Sequence, residues 1–352
     1  MLYSVLQFII RVSLRIFCAN ITLSSKDVLQ SKGPLLLACN HPNGFLDAII
    51  IGSLFKQPVY YLARGDAFKY AFTNKLLKAL KMLPIYRLSE GREYLSLNEK
   101  TFDACHQILL QGGIVLIFSE GISKHSWQLQ PLKKGTARIA FKAWQEPSIG
   151  ERFRILPVSI NYHSFTQFGK QVIVHLGDII TKQQDLLRAQ EGERTQQLNS
   201  LLATQLLKGM LVANGNTNLV QTLITKHTQL IKSPTTAVGD LQHLQANYQL
   251  TSLPKSNHLF LPKMLLLMPA IVGFVLHAAF YFPIKKLVQY VTKGSVFYDS
   301  ALFAVLLMLY PIYYVMLTLL ALHFTNNIAL QIVVLLMPFW LWLLVRFKQL
   351  CY

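Results

Sequence analysis

Pro34-Leu35-Leu36-Leu37-Ala38-Cys39-Asn40-His41-Pro42-Asn43-Gly44-Phe45-Leu46-Asp47 is the stretch that sets the architecture. Its first six residues form a short, continuous apolar run, the pattern of a strand covered on both faces. A turn carrying Asn43 and Gly44 follows. His41 and Asp47 lie on either side of it, six positions apart. Open α/β sheets place their ligands beyond the strand ends, so one stretch marks both a central strand and a candidate site.

Similar runs at 58–62, 114–118, 154–160 and 172–175 predict further strands. Helical patterns lie between them. One passes through Phe102, Cys105, Ile108 and Leu109, with Asn98 as its expected N-cap and Gly112-Gly113 as its stop. Another covers 136–144. The alternation over residues 33–178 predicts an α/β unit with helices packed on a sheet. Residues 179–257 are rich in Gln, Asn, Thr and Leu. Leu198, Leu201, Leu202, Leu206 and Leu207 have helical spacing. This predicts a helical appendage and then a linker around Ser233-Pro234 and Ser252-Leu253-Pro254. The expected division is 1–30, 31–180, 181–257 and 258–352, and no fixed-period repeat is visible.

The 352 residues are 52% hydrophobic and only 14% charged, against a usual charged share of about 25%. Mean hydropathy is +0.35. So little charge cannot coat a fully soluble globule. The net charge of +18, from 34 Lys+Arg and 16 Asp+Glu, suits an anionic surface. No RNP motif, zinc-finger spacing or basic heptad helix accompanies it, which argues against nucleic acid. The four cysteines (Cys18, Cys39, Cys105, Cys351) form no C-x-x-C pair, so neither a disulfide scaffold nor a thiolate metal site is indicated. Reduced thiols imply a cytosolic soluble part.

Both ends of the chain suggest lipid. In residues 1–19 the apolar Leu2, Leu6, Ile9, Ile10, Leu14, Ile16 and Phe17 leave one narrow polar stripe of Ser4, Gln7, Arg11 and Arg15. That pattern fits an interfacial helix, a buried core helix being the alternative. Arg11 and Arg15 interrupt the apolar core that a signal peptide needs. Near the other end, the runs 264–282, 301–322 and 328–345 approach or exceed the length needed to cross ~30 Å of hydrocarbon. Lys255 and Lys263 precede the first run, and Lys285, Lys286 and Lys293 follow it. No Lys or Arg falls at 323–327, and Arg346 and Lys348 follow the third run. The positive-inside rule then puts both flanks of the first run, and the chain end, in the cytoplasm. A first run that enters and returns, aided by Pro269 and Gly273, followed by a two-span hairpin, satisfies the pattern.

Residue chemistry narrows the function. Neutral imidazole takes a proton from an alcohol near neutral pH, and a carboxylate on its other nitrogen fixes the tautomer. A histidine capping a helix, with Asp47 in the first turn, is the structural alternative. Arg64 and Arg87 each emerge from an apolar segment, and guanidinium forks bind phosphate; ion pairs with Asp66 or Glu90 are the other reading. Phe118-Ser119-Glu120-Gly121 ends a strong strand. Glu120 is suited to accept a bond from a substrate hydroxyl. Ser119 lacks the G-x-S-x-G elbow of a nucleophile. No further His at a familiar ligand spacing accompanies His41, Asp47 and Glu120, so a metal site is not indicated. Lys133 and Lys134 precede an expected helix start, where an anion can bind; a solvated turn is the plain alternative.

Taken in order, these segments resemble the glycerolipid acyltransferase superfamily, the PlsC-like enzymes, over roughly residues 30–180. Asn40-His41…Asp47 resembles the catalytic His/Asp motif. Leu83-Pro84-Ile85-Tyr86-Arg87 is similar to the second motif, whose arginine contacts the substrate phosphate. Ile117-Phe118-Ser119-Glu120-Gly121 resembles F-P-E-G, and Leu156-Pro157-Val158 the proline-containing fourth motif that borders the acyl-donor pocket. There are departures. Five residues separate His41 from Asp47 where four are usual, Ser119 replaces Pro, and Ile122-Ser123 replaces Thr-Arg. The five-residue gap, and the stretch from Ser123 through Leu129-Gln130-Pro131-Leu132-Lys133 to Gly135, are similar to a branch of glycerol-3-phosphate and dihydroxyacetone-phosphate acyltransferases. The resemblance implies an α/β fold with a mixed sheet and flanking helices, to which the residue patterns add an N-terminal interfacial helix and C-terminal transmembrane helices. It implies His41 as general base oriented by Asp47. Arg87, Arg64 and Lys133 would hold the phosphate, with Glu120, Gly121, Asn43 and Ser123 around the acceptor and Pro157 beside the donor. The donor would be acyl-CoA or acyl-carrier protein, with no cofactor, and membrane lipids would be partners. Glycerol-3-phosphate and lysophosphatidate are the expected acceptors. Lysophospholipid remodelling, a non-enzymatic lipid-binding relative and lipid hydrolysis are the competing readings.

Overall fold

The apolar runs assemble into one sheet. The computed structural model describes residues 2–24, 27–30, 32–86, 91, 96–212, 221, 224 and 260–351; the linker expected around Ser233-Pro234 and Ser252-Leu253-Pro254 lies outside them. The strands are β1 (Cys18–Leu23), β2 (Leu35–Cys39), β3 (Val59–Arg64), β4 (Met82–Ile85), β5 (Ile114–Phe118), β6 (Arg154–Tyr162) and β7 (Lys170–Leu176). Their order is β1-β7-β6-β2-β5-β3-β4. Every neighbouring pair is parallel except β6 and β7, so the sheet is mixed. The two edge strands were not expected. Asn20 and Thr22 break the apolar run of β1, and β4 carries Pro84, which an edge strand tolerates because it lacks a partner on one side.

The central strands are apolar throughout because both faces are covered. Leu35, Leu37, Cys39, Ile114 and Leu116 face one core, which includes Leu14 and Phe17 of α1 (Leu2–Phe17) and Leu46 and Ile50 of α2 (Phe45–Leu54). The alternating Leu36, Ala38, Val115 and Ile117 face the other. There they meet Phe102, Cys105 and Leu109 of α4 (Leu97–Leu110), Ala137, Ala140 and Trp144 of α5 (Gly135–Gln145), and Leu198, Leu202 and Leu206 of α7 (Glu191–Lys208). A short α3 (Ala71–Ala79) precedes β4, and α6 (Gln184–Arg188) precedes α7. The leucine-rich segment expected as an appendage therefore packs as a layer on the sheet. Asn98 is not a cap either. It lies inside α4, and its amide bonds both the N–H and the C=O of Tyr86 at 2.8 Å, tying the end of β4 to the helix.

The amphipathic α1 packs only part of its polar stripe inward: Gln7 and Arg11 face α2, while Ser4 and Arg15 stay exposed. Gln7 Nε2 donates to the carbonyls of Gly52 (3.2 Å) and Phe55 (2.9 Å), while Arg11 donates to Ser53 (2.6 Å) and Phe55 (2.9 Å). These carbonyls lie at the C-terminal end of α2, where helix oxygens lack partners and cations are favoured. Val5, Phe8, Ile9 and Val12 are left exposed. Two residues of the stripe expected to meet water thus pack on α2, Leu14 and Phe17 enter the core, and the exposed apolar residues are free for lipid.

Four helices follow residue 259: α8 (Phe260–Thr292), α9 (Tyr298–Phe324), α10 (Ile328–Leu335) and α11 (Met337–Cys351). Among the described residues, α8 and α9 are long and apolar enough to cross a membrane, and α10 with α11 makes a third candidate, bent by 60°. The re-entrant first run is thereby corrected, since α8 continues through both Pro269 and Pro283. Gly273 serves packing: a Cβ there would lie 2.4 Å from the carbonyl oxygen of Trp340. The break falls in the third run instead. Ile284 and Val288 of α8, and Tyr298, Leu302 and Phe303 of α9, belong to the sheet's first core.

Candidate active site

The end of β2 delivers His41 to a tight turn, and α2 returns Asp47 to it. Gly44 makes the turn possible. Its φ of +57° suits a residue without Cβ, and a Cβ would sit 2.6 Å from the carbonyl oxygen of Val296. His41 Nδ1 lies 2.9 Å from Asp47 Oδ2, and the backbone N–H of Asn43 donates to that same oxygen at 2.8 Å. Tyr162 donates its hydroxyl to Asp47 Oδ1 at 2.6 Å. Burial raises the Tyr162 phenol well above its ordinary pKa, with the Asp47 carboxylate adding to the effect, so the hydroxyl keeps its proton and remains a donor. The imidazole stacks on Phe118, with centroids 3.7 Å apart and planes 9° apart. Asp47 is fully buried and His41 partly exposed. With Nδ1 engaged by Asp47, Nε2 is left for a reacting group, and His41 lines the adjoining cavity.

That cavity holds about 1120 Å³. Its wall includes Arg64, Gly121, Ser123, Lys133 and Lys134, together with Val296 and Phe297 from the turn between α8 and α9. Arg64 is ion-paired with Asp66 at 2.5 Å. Arg138, also on the wall, pairs with Glu99. Lys133 and Lys134 have no acidic partner among the described residues, and the first residues of α5, Gly135 and Thr136, share their side of the wall. Free cations beside a helix N-terminus make this the anion-favouring end. Ser123 Oγ accepts from the N–H of Gly44 at 2.7 Å, joining the wall to the catalytic turn.

Several expected site residues do other work. Glu120 is buried and does not line the cavity. One oxygen accepts the N–H of His41 and the other that of Gln130, each at 3.2 Å. It fixes the backbone beneath the histidine. Burial raises its pKa to about 7, against the two backbone donors. A carboxyl whose folded pKa lies above its unfolded value stabilises the fold fully below the unfolded value, and that share is lost as pH rises through the folded one. Wild type is therefore expected to lose stability relative to Glu120→Gln between about pH 4.5 and 7, measured as the difference in thermal midpoints across that window. A constant difference contradicts the assignment.

Asn43 is also fully buried and off the cavity wall. Its side chain donates to Asp299 Oδ2 at 2.7 Å and to the Phe165 carbonyl at 3.3 Å. Pro157 lies buried in β6, where Gly177 packs on it, and does not line the cavity. Arg87 lies outside the described residues. Tyr162, Asp299 and Lys170 escaped sequence reading: Tyr162 sits just past the expected end of its strand, and the other two are separated from the turn by more than a hundred residues. Among the described residues no group of three or more His, Cys, Asp or Glu is placed to hold a metal ion.

Part of the chain is similar to known proteins. The family model described as Acyltransferase matches residues 20–161. A search of curated proteins finds no match. Among solved structures, the chain is similar to a 1-acyl-sn-glycerophosphate (LPA) acyltransferase, PlsC, from Thermotoga maritima. The similarity extends over 58% of this chain and 79% of that one, at 15% identity and a TM-score of 0.40. Residues 20–161, which match the acyltransferase family model, hold all the described segments whose order resembles the PlsC-like motifs.

Proposed function

We propose that the protein is a membrane-bound glycerolipid O-acyltransferase that moves a fatty acyl group from a thioester to a hydroxyl of a phosphorylated glycerol. The observation that carries this reading is the His41–Asp47–Tyr162 chain, with the imidazole opening onto a cavity whose wall holds two lysines that have no acidic partner among the described residues. His41 Nε2 takes the hydroxyl proton as the acceptor oxygen bonds to the thioester carbonyl carbon. The tetrahedral adduct collapses, the C–S bond breaks, and the leaving sulfur takes the proton from His41. Ester and free thiol are the products, with no redox change. Asp47 holds the tautomer that leaves Nε2 free and stabilises the imidazolium. Lys133, Lys134 and the start of α5 bind the acceptor phosphate, joined by Arg64 and Arg87. Gly121 and Ser123 shape the wall beside the glycerol. The missing Thr-Arg pair after Gly121 favours glycerol-3-phosphate over lysophosphatidate. The donor is acyl-CoA or acyl-carrier protein, and the catalytic fold lies on the cytoplasmic face.

The test is purified full-length protein offered glycerol-3-phosphate, lysophosphatidate and other lysolipids with each donor, followed by mass spectrometry of the products. A new ester on a phosphorylated glycerol supports the proposal; free fatty acid without one supports hydrolysis and overturns it. Two variants probe the parts. Asp47→Asn is expected to lower kcat about 10²-fold with KM little changed, because it disturbs the base and leaves ground-state binding intact. A pure KM effect contradicts that role. Lys133→Ala is expected to raise KM for a phosphorylated acceptor about tenfold, the usual loss for one charge-assisted contact, while sparing an unphosphorylated alcohol. Equal losses on both substrates contradict a phosphate role.

A further inference from the structure

The catalytic turn is held from outside by the first residues of an apolar helix that follows it by more than 250 positions. Asp299 and Ser300 open α9. Ser300 Oγ accepts the backbone N–H of Leu46 at 2.9 Å, in the first turn of α2. Asp299 Oδ2 accepts the side chain of Asn43 at 2.7 Å, and the Asn43 backbone in turn donates to the Asp47 oxygen that holds His41. Lys170 Nζ is bonded to the same Asp299 oxygen and to the Phe165 carbonyl. His125 Nε2 lies 3.1 Å from Asn43 Oδ1, completing that amide's bonds. Asn43, Lys170 and Asp299 are all fully buried, and Ser300 nearly so.

A structural ion pair needs only to neutralise itself. This one spends its acceptor oxygen on the residue next to the turn's glycine, and the adjacent serine bonds the residue before Asp47. We propose that Asp299 and Ser300 are positioning residues for acyl transfer. Through Asn43 and Leu46 they fix the turn that aims Asp47 at His41, so the C-terminal helical region is part of the active site as well as an anchor. This rests on the reading of His41 and Asp47 given above.

Two full-length double variants separate positioning from charge neutralisation. Lys170→Met/Asp299→Asn and Lys170→Met/Asp299→Leu both remove the ion pair, but only the first keeps an oxygen that can accept from Asn43. The expected result is similar thermal midpoints for the two. The asparagine form should retain kcat within about threefold of wild type, while the leucine form loses about 10- to 100-fold in kcat with KM little changed, as expected for a misplaced catalytic group. Backbone hydrogen exchange over residues 42–47 should be faster in the leucine form, a readout independent of turnover. Equal kcat and equal exchange in the two variants would overturn the proposal. If the leucine form does not fold, Ser300→Ala decides on the same two readouts, with wild-type kcat and exchange counting against the role. His41→Ala runs in parallel: full activity there with altered exchange in the leucine form removes the catalytic reading and leaves the positioning contact standing.

Discussion

His41→Ala is expected to abolish measurable acyl transfer, with kcat falling about 10³-fold or more. General-base catalysis contributes about 10²–10⁴-fold, and the groups available to substitute here are poor. Glu120 is committed to two backbone N–H groups. Asp47 is fully buried behind the imidazole. Tyr162 keeps its proton because burial raises its pKa. His125 is engaged with Asn43 and stacked on Phe165. The measurement is labelled-acyl transfer by the purified variant alongside its thermal midpoint. Because His41 contributes a partly exposed ring stacked on Phe118, the midpoint is expected to move little. Turnover equal to wild type in a folded variant removes the mechanism.

Lys170→Met alone should be the most destabilising single change in the catalytic fold. It leaves the Asp299 carboxylate fully buried with only the Asn43 amide to hold it. Breaking one partner of a buried pair costs about 3–5 kcal/mol, whereas replacing both by apolar residues is often neutral or stabilising. The burial that raises this cost also pulls the Lys170 ammonium well below its ordinary pKa. The expected observation is a large drop in thermal midpoint for Lys170→Met that is mostly recovered in Lys170→Met/Asp299→Leu. A single variant that melts with wild type shows that the pair carries little.

The sheet's interior was legible because its strands are covered on both faces, which forces uninterrupted apolar runs in β2 and β5. The edges were not, since an edge strand has fewer neighbours to satisfy: Asn20, Thr22 and Pro84 are all tolerated there. The His41–Asp47 pair could be read from residue chemistry and spacing. Its supports could not, because Tyr162, Lys170 and Asp299 reach the turn through tertiary packing that leaves no local pattern. The contacts of Glu120 and Asn43 were illegible for a related reason: a polar residue beside His41 and Asp47 serves equally to hold the backbone, and only burial shows that these two do so. In α1 the periodicity gave the helix but not its contacts, because Gln7 and Arg11 found carbonyls to cap where water had been expected. In the C-terminal region length and hydropathy located the apolar runs, while the bend between α10 and α11 left no mark in either.

Val296 and Phe297 form part of the cavity beside His41, the proposed reaction chamber, and also precede, with no spacer, a helix long enough to traverse a bilayer. With that helix embedded, the chamber cannot float up or sink: its altitude is fixed to the headgroup plane within about one turn, roughly 5 Å. An acceptor already resident in the leaflet would arrive by lateral drift with its phosphate at working height, and a water-soluble donor would approach from above. Altering the number of residues between Thr292 and Tyr298 would therefore act as a change of elevation, and should penalise leaflet-borne acceptors far more than glycerol-3-phosphate.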